Sequence, residues 1–265
     1  MLLAFDTGNT NVMMGVFEGE HLIANWRFTT DPNRTADEYA VLCQSFFETR
    51  KLRFEDVDQI IVSSVVPDLT RTLVRMCERY IGVSPLLVEA GIKTGLKLRY
   101  ENPKELGADR IVNAVSGIEL YGAPLVIVDF GTATTFCVIN EKKEYLGGMI
   151  TAGLRISMEA LFSNAAKLPK VELTAPEQAI GRTTVSAIQS GLVYGYASMV
   201  DGMIVRIAEE IGVDPDALFV VATGGHAETV CCNCRYVDKV DGMLTLEGLK
   251  LIAKRNKGGL SLIHI

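Results

Sequence analysis

The chain has 265 residues, 48% of them hydrophobic and 22% charged, which suffices to bury one large core or two modest ones and excludes a disordered chain. A formal charge of -6 excludes the broad basic face that a nucleic-acid backbone requires, so no nucleic-acid partner is expected. The longest apolar runs, such as 123–130 and 218–222, fall far short of the ~20 residues that cross a membrane, so they read as buried strands and no membrane partner is expected.

At the start, Met1-Leu2-Leu3 leads directly into Asp6-Thr7-Gly8 without a basic stretch or a signal-length apolar core, which predicts a cytoplasmic protein. The segment 2–5 is an apolar strand ending in Asp6-Thr7-Gly8-Asn9-Thr10, and 12–17 is its return strand, closing at Glu18-Gly19-Glu20. Thr35-Ala36-Asp37-Glu38 has the reciprocal pattern of a capping box and predicts a helix to about Arg50. Next come a strand over 57–66, a helix over 69–81 bounded by Pro67 and Gly82, and a strand over 86–88. Gly107-Ala108-Asp109-Arg110 then precedes the apolar-periodic helix that opens with Ile111.

The segment 125–139 repeats the opening pattern. An apolar strand ends in Asp129-Phe130-Gly131-Thr132-Ala133-Thr134, a second strand follows, and Asn140-Glu141-Lys142 closes it. Aligning Asp6 with Asp129 also aligns Gly8 with Gly131 and Met14 with Cys137, so one hairpin is used twice. Beyond it lie Gly147-Gly148, a helix over 154–165 and an exposed connector over 169–176. One long helix is predicted over 184–211 in spite of Gly191, Gly195 and Gly202. Each interior glycine costs about 1 kcal/mol, which points to close helix packing there, including packing against another subunit. A core strand over 219–222 runs into Thr223-Gly224-Gly225, and a helix over 245–255 closes the chain.

The alternation of strands and helices predicts an α/β architecture in two domains, 1–115 and 116–256. Residues 257–265 have no periodicity and read as a frayed or non-native tail. The six cysteines include Cys231, Cys232 and Cys234, but no second ligand arm accompanies that cluster, so it reads as reduced thiols on a turn.

A strand ending in Asp-x-Gly meets a specific chemical need. Glycine lets the backbone turn closely around an anion so that successive N–H groups face phosphate oxygens. Asn9, Thr10, Thr132 and Thr134 add small donors, and a carboxylate facing phosphate requires a cation between them. Two such hairpins can hold a polyphosphate from both sides. The second constellation is Asp109-Arg110 at a helix N-terminus, where an arginine can fork onto a substrate carboxylate and the aspartate can accept a hydroxyl proton. The plain alternative makes Asp109 a helix cap and Arg110 its solvated neighbour.

The duplicated hairpin is similar to that of the acetate and sugar kinases, actin and the heat-shock chaperone ATPases. In that superfamily a Gly-Gly turn after a late strand contacts adenosine, which is the position of Thr223-Gly224-Gly225 here. The series Asp6-Thr7-Gly8-Asn9-Thr10, Tyr100-Glu101-Asn102-Pro103, Gly107-Ala108-Asp109-Arg110, Asp129-Phe130-Gly131-Thr132-Ala133-Thr134 and Gly181-Arg182-Thr183-Thr184 resembles the successive motifs of type III pantothenate kinase.

That resemblance implies two actin-like (ribonuclease H-like) domains related by duplication, with ATP in the cleft between them. It implies phosphorylation of pantothenate by ATP with Mg²⁺, the first step of coenzyme A biosynthesis, in a homodimer. Asp6, Thr7, Gly8, Asn9, Thr10, Asn11, Val12 and Met13 would bind the ATP phosphates, with Thr132 adding a contact. Tyr100, Gly107, Ala108, Arg110 and Thr184 would bind pantothenate together with Asp109, which would also be the proton acceptor. Asp129 would hold a monovalent cation, K⁺ or NH₄⁺. Thr183 departs from the Asn of the family pattern. A sugar or acetate kinase of the same fold, and a nucleotide-binding regulatory protein without catalysis, are the competing readings; the three aspartates argue against the latter.

Overall fold

The structure is a computed structural model that describes residues 1–257, so the expected tail lies outside the described residues from position 258 onward. The chain opens with the strands β1 (Leu2–Thr7), β2 (Asn11–Glu18) and β3 (His21–Thr29), then α1 (Ala36–Thr49), β4 (Gln59–Ser64) and α2 (Pro67–Met76). Two short strands follow, β5 (Leu86–Leu87) and β6 (Lys97–Leu98), ahead of α3 (Ala108–Tyr121). The second half contains β7 (Leu125–Phe130), β8 (Ala133–Ile139), β9 (Glu144–Ala152), α4 (Leu154–Asn164) and α5 (Thr184–Ile211). It ends with β10 (Phe219–Thr223), α6 (Ala227–Cys231), β11 (Lys239–Val240) and α7 (Leu244–Asn256).

Two sheets carry one topology twice. The first has the order β3-β2-β1-β4-β5, and the second has β11-β10-β7-β8-β9-β6. In each, an antiparallel hairpin and its return strand are followed by parallel strands on the other side of the first hairpin strand. This is the duplicated α/β plan expected from the repeated motif. The return strands, however, do not match residue for residue. Asp6 pairs with Met13, whereas Asp129 pairs with Thr135, so Met14 lies opposite Phe5 and Cys137 opposite Ile127. The second turn is one residue shorter, and because side chains alternate faces along a strand, the expected equivalence of Met14 and Cys137 is broken.

One compact unit comprises Met1–Leu96, Glu101–Ser116 and the segment from Leu244 onward. Leu3, Phe5, Val12, Met14, Ile60 and Val62 pack with Tyr39, Cys43 and Phe47 of α1 and with Leu69 and Leu73 of α2. The capping box of α1 forms as expected, with the Glu38 N–H donating to Thr35 Oγ1 and the Thr35 N–H donating to the Glu38 carboxylate. The α-helix after Pro67 stops at Met76, and the expected remainder to Ile81 is a single π-turn closed by the Gly82 N–H on the Cys77 carbonyl. Gly82 has φ of +78°, the left-handed conformation that ends such a turn.

The other compact unit comprises Lys97–Tyr100 and Gly117–Met243. Val126, Val128, Phe130, Phe136, Val138, Val220 and Ala222 pack against Leu192, Val200, Ile204 and Ile207 of α5. The division therefore differs from the expected boundary at 115/116 in a specific way. The closing helix α7 buries Leu246, Leu249 and Ile252 and packs on β1, β2 and β4, so it completes the unit begun by the N-terminus. An apolar stripe on a helix announces a buried face, but not which sheet will cover it.

The helix α5 has the expected bounds. A Cβ placed on Gly191, Gly195 or Gly202 would meet nothing within 4 Å among the described residues, so none of those residues packs closely on these glycines. Among the described residues, no helix is long and apolar enough to cross a membrane.

Candidate functional site

The first phosphate-type hairpin is tightly closed. The Gly8 N–H donates to the Asn11 carbonyl at 3.0 Å, and Thr30 donates through its N–H to the Thr10 carbonyl at 3.0 Å and through its hydroxyl to the Gly8 carbonyl at 2.6 Å. Asn11 is exposed at the start of β2, whereas the Val12 side chain belongs to the core, leaving only its backbone for any ligand. Asp6 lies beside Ser63 in the parallel β1–β4 register. Ser63 is a position the motif reading passed over; its only sequence signal is a Ser-Ser pair at the end of an apolar strand.

Asp109 lies in the first turn of α3, in the same unit as Asp6. Its Oδ1 lies 2.5 Å from where a Cβ on Gly107 would sit, so only glycine admits the carboxylate there. Burial pushes the Asp109 carboxyl above its ordinary range, while the backbone N–H of Arg110 and the Arg110 charge pull it back. Arg110 is 6% exposed, which removes the alternative of a solvated neighbour. Two turns of helix anchor this pair: Thr245 of α7 donates to the Asn113 side chain at 2.8 Å, and Gly248 of α7 meets Val112 closely.

In the second unit Asp129 occupies a comparable cradle. Its Oδ1 lies 2.6 Å from the position of a Cβ on Gly224 and 3.6 Å from one on Gly131. Parallel pairing of Thr223 with Asp129 brings the Gly-Gly turn to this carboxylate. Gly224 has φ of +95°, and its added Cβ would also meet the Phe130 backbone at 2.7 Å. Gly224→Ala should therefore cost about 2 kcal/mol or more in denaturant unfolding, through backbone strain and displacement of β7. A shift of a few tenths would show that the turn relaxes freely.

Tyr100 belongs to this second unit as well. The Arg99 N–H donates to the Tyr145 carbonyl at 2.8 Å, and Arg99 and Lys97 both pair with the Glu144 carboxylate, which Arg99, Lys97 and Asn140 hold down at about 2. Tyr100 is thereby set edge-on to Tyr145, with ring centroids 6.2 Å apart. Thr184 is the first residue of α5, and Thr183 caps it by accepting the Ser186 N–H at 3.1 Å. Threonine and asparagine both make good caps, so this departure from the family pattern preserves the helix start.

The first unit thus brings together Asp6 to Met13, Ser63 and Gly107 to Arg110. The second carries Tyr100, Asp129, Thr132 and Thr184. Among the described residues no group of three or more His, Cys, Asp or Glu side chains is placed to hold a metal. The oxygen chemistry around Asp129 does suit a hard, loosely coordinated cation: a carboxylate in a glycine cradle, next to the Gly131 and Thr132 carbonyls that converge on Gly153. Cys234 neighbours Cys231, whose thiol, together with burial, pushes the Cys234 thiol upward and leaves it an inert group.

A family model for type III pantothenate kinase matches residues 2–206. Among solved structures, the fold is similar to a Campylobacter jejuni protein described as belonging to the Baf family of transcriptional activators. The TM-score is 0.61 at 18% identity, covering 96% of this chain and 98% of that one. It is also similar to the ADPNP-bound activator of 2-hydroxyisocaproyl-CoA dehydratase from Clostridium difficile, with TM-score 0.53, 13% identity and coverage of 100% and 99%. The ROK hexokinase of Thermus thermophilus gives TM-score 0.51 at 15% identity, with coverage of 97% and 99%. At these identities the structures establish the fold, an actin-like ATPase and sugar-kinase fold.

Proposed function

The chain belongs to the type III pantothenate kinase family, and we propose that it transfers the γ-phosphate of ATP to the hydroxyl of pantothenate, forming 4'-phosphopantothenate for coenzyme A biosynthesis. The observation that supports this most directly is the half-buried Asp109 carboxylate, raised in basicity by desolvation beside a buried Arg110 at the start of α3. Such a pair matches a substrate with a carboxylate at one end and a hydroxyl to be deprotonated at the other.

In this reading Asp109 accepts the hydroxyl proton as the hydroxyl oxygen attacks the γ-phosphorus and the bond to ADP breaks. Arg110 takes the pantothenate carboxylate, and Tyr100, Gly107, Ala108 and Thr184 are the further residues assigned to pantothenate. Asp6 to Met13 and Thr132 hold the polyphosphate. Mg²⁺ bound with the nucleotide would supply charge neutralisation, and Asp129 would hold a monovalent cation. We also infer a homodimer, to which the open glycine face of α5 is available; a monomer mass in sedimentation at micromolar protein would overturn it.

A coupled assay for ADP release tests the activity. Release should depend on pantothenate, and a panel including sugars and acetate should give little. ADP release that any of those acceptors supports equally well would overturn the substrate assignment. Arg110→Lys should raise KM for pantothenate roughly tenfold or more with little change for ATP, because lysine keeps the charge but loses the planar two-donor fork. Equal effects on both substrates would move Arg110 to the nucleotide or to the fold.

A further inference from the structure

Ser63 and Ser64 stand side by side at the carboxyl end of β4 and have opposite fates. The Ser64 hydroxyl is fully employed: it donates to the Val66 carbonyl at 3.2 Å and accepts the Val66 N–H at 3.1 Å, shaping the entry to α2. The Ser63 hydroxyl is completely buried and, among the described residues, has no hydrogen-bond partner. A buried hydroxyl in that condition has given up water for nothing, and such groups are retained where a ligand or a water completes them.

Position decides what would complete it. Ser63 is the direct neighbour of Asp6 in parallel register, so both side chains leave the sheet on the same face, the one that also carries α7. Parallel strands bind ligands at their carboxyl ends, which is where both residues lie. Two residues on, Val65 reaches within 4.0 Å of the Cβ position on Gly107, against which the Asp109 carboxylate also rests. Ser63 is thus set between the carboxylate assigned to the metal-bound phosphates and the one assigned to the acceptor proton. Thr7 also has a buried hydroxyl without a partner among the described residues, but strand alternation turns it to the opposite face, toward the core of Leu3 and Phe5.

We propose that Ser63 is a nucleotide-binding residue whose hydroxyl donates a hydrogen bond to a γ-phosphate oxygen of ATP. The assignment rests on the kinase reading above and deepens it. Wild-type protein, Ser63→Ala and Ser63→Cys are compared by calorimetry with Mg²⁺ and either the non-hydrolysable ATP analogue adenylyl imidodiphosphate or ADP. Cysteine keeps the volume but donates weakly, so it serves if the alanine variant is poorly folded. Both variants should melt, without ligand, no lower than the wild type. Affinity for the triphosphate analogue should fall about tenfold or more, while that for ADP changes by less than about twofold. Unchanged affinity for the analogue, or equal losses with both nucleotides, overturns the assignment to the γ-phosphate. A lower melting temperature with unchanged affinities likewise overturns it and makes Ser63 a structural residue. Wild-type protein that binds neither nucleotide would overturn the kinase reading itself, and the role of Ser63 with it.

Discussion

Asp109→Asn should reduce turnover by roughly 10²–10⁴-fold, the usual contribution of a positioned general base, while nucleotide affinity stays within about twofold. The amide keeps the shape of the carboxylate above Gly107 but cannot accept the hydroxyl proton. Stability separates this outcome from misfolding, and its sign follows from the direction of the pKa. Burial raises the folded-state value of Asp109 above that of the unfolded chain. Its favourable contribution is therefore complete only below the ordinary carboxylate range and is lost as pH rises through the raised value. At neutral pH the wild type holds a desolvated charge that the asparagine variant lacks, so the variant should be at least as stable there. The acid limb of the wild-type pH–rate profile should lie above the ordinary carboxylate range and disappear in the variant. Near-wild-type turnover would reduce Asp109 to a helix cap.

The parts of this site that were legible in the sequence are those fixed by neighbours along the chain. An apolar strand meeting Asp-x-Gly announces its hairpin twice, and Thr35 with Glu38 announces the start of α1. The parts that were not legible depend on partners far away in sequence. Nothing near Gly224 says that it will lie against Asp129; the parallel pairing of β10 with β7 brings the two together. Likewise the stripe Leu246, Leu249 and Ile252 predicts a buried face, while its return to the first unit is decided by the sheet it meets. The slip between Met14 and Cys137 has a still smaller cause, one residue fewer in a turn, whose consequence is that every later side chain changes face. Ser63 was invisible for the opposite reason: a pair of serines at a strand end has no informative pattern, and burial without a partner among the described residues is what distinguishes Ser63 from Ser64.

Activity in sodium-only or choline-only buffer with saturating Mg²⁺ should fall sharply and return on adding potassium or ammonium. The argument begins with Asp129 at the end of the apolar strand β7, whose four preceding residues, Leu125 to Val128, are buried. A carboxylate held there, against two glycines, gains from a nearby positive charge. Mg²⁺ keeps its own waters and favours rigid octahedral geometry, so it is better served by the nucleotide phosphates. A large monovalent cation accepts the looser mixture of carboxylate and backbone carbonyls that this turn offers. Asp129→Ala should therefore lower turnover about 10²-fold in every salt, the scale on which fixed charges act on a transferring phosphoryl group, and should abolish the response to potassium. The two halves of the test are independent. Wild-type turnover that is the same with and without potassium removes the monovalent cation from the site, and a variant that keeps its potassium response moves that cation away from Asp129.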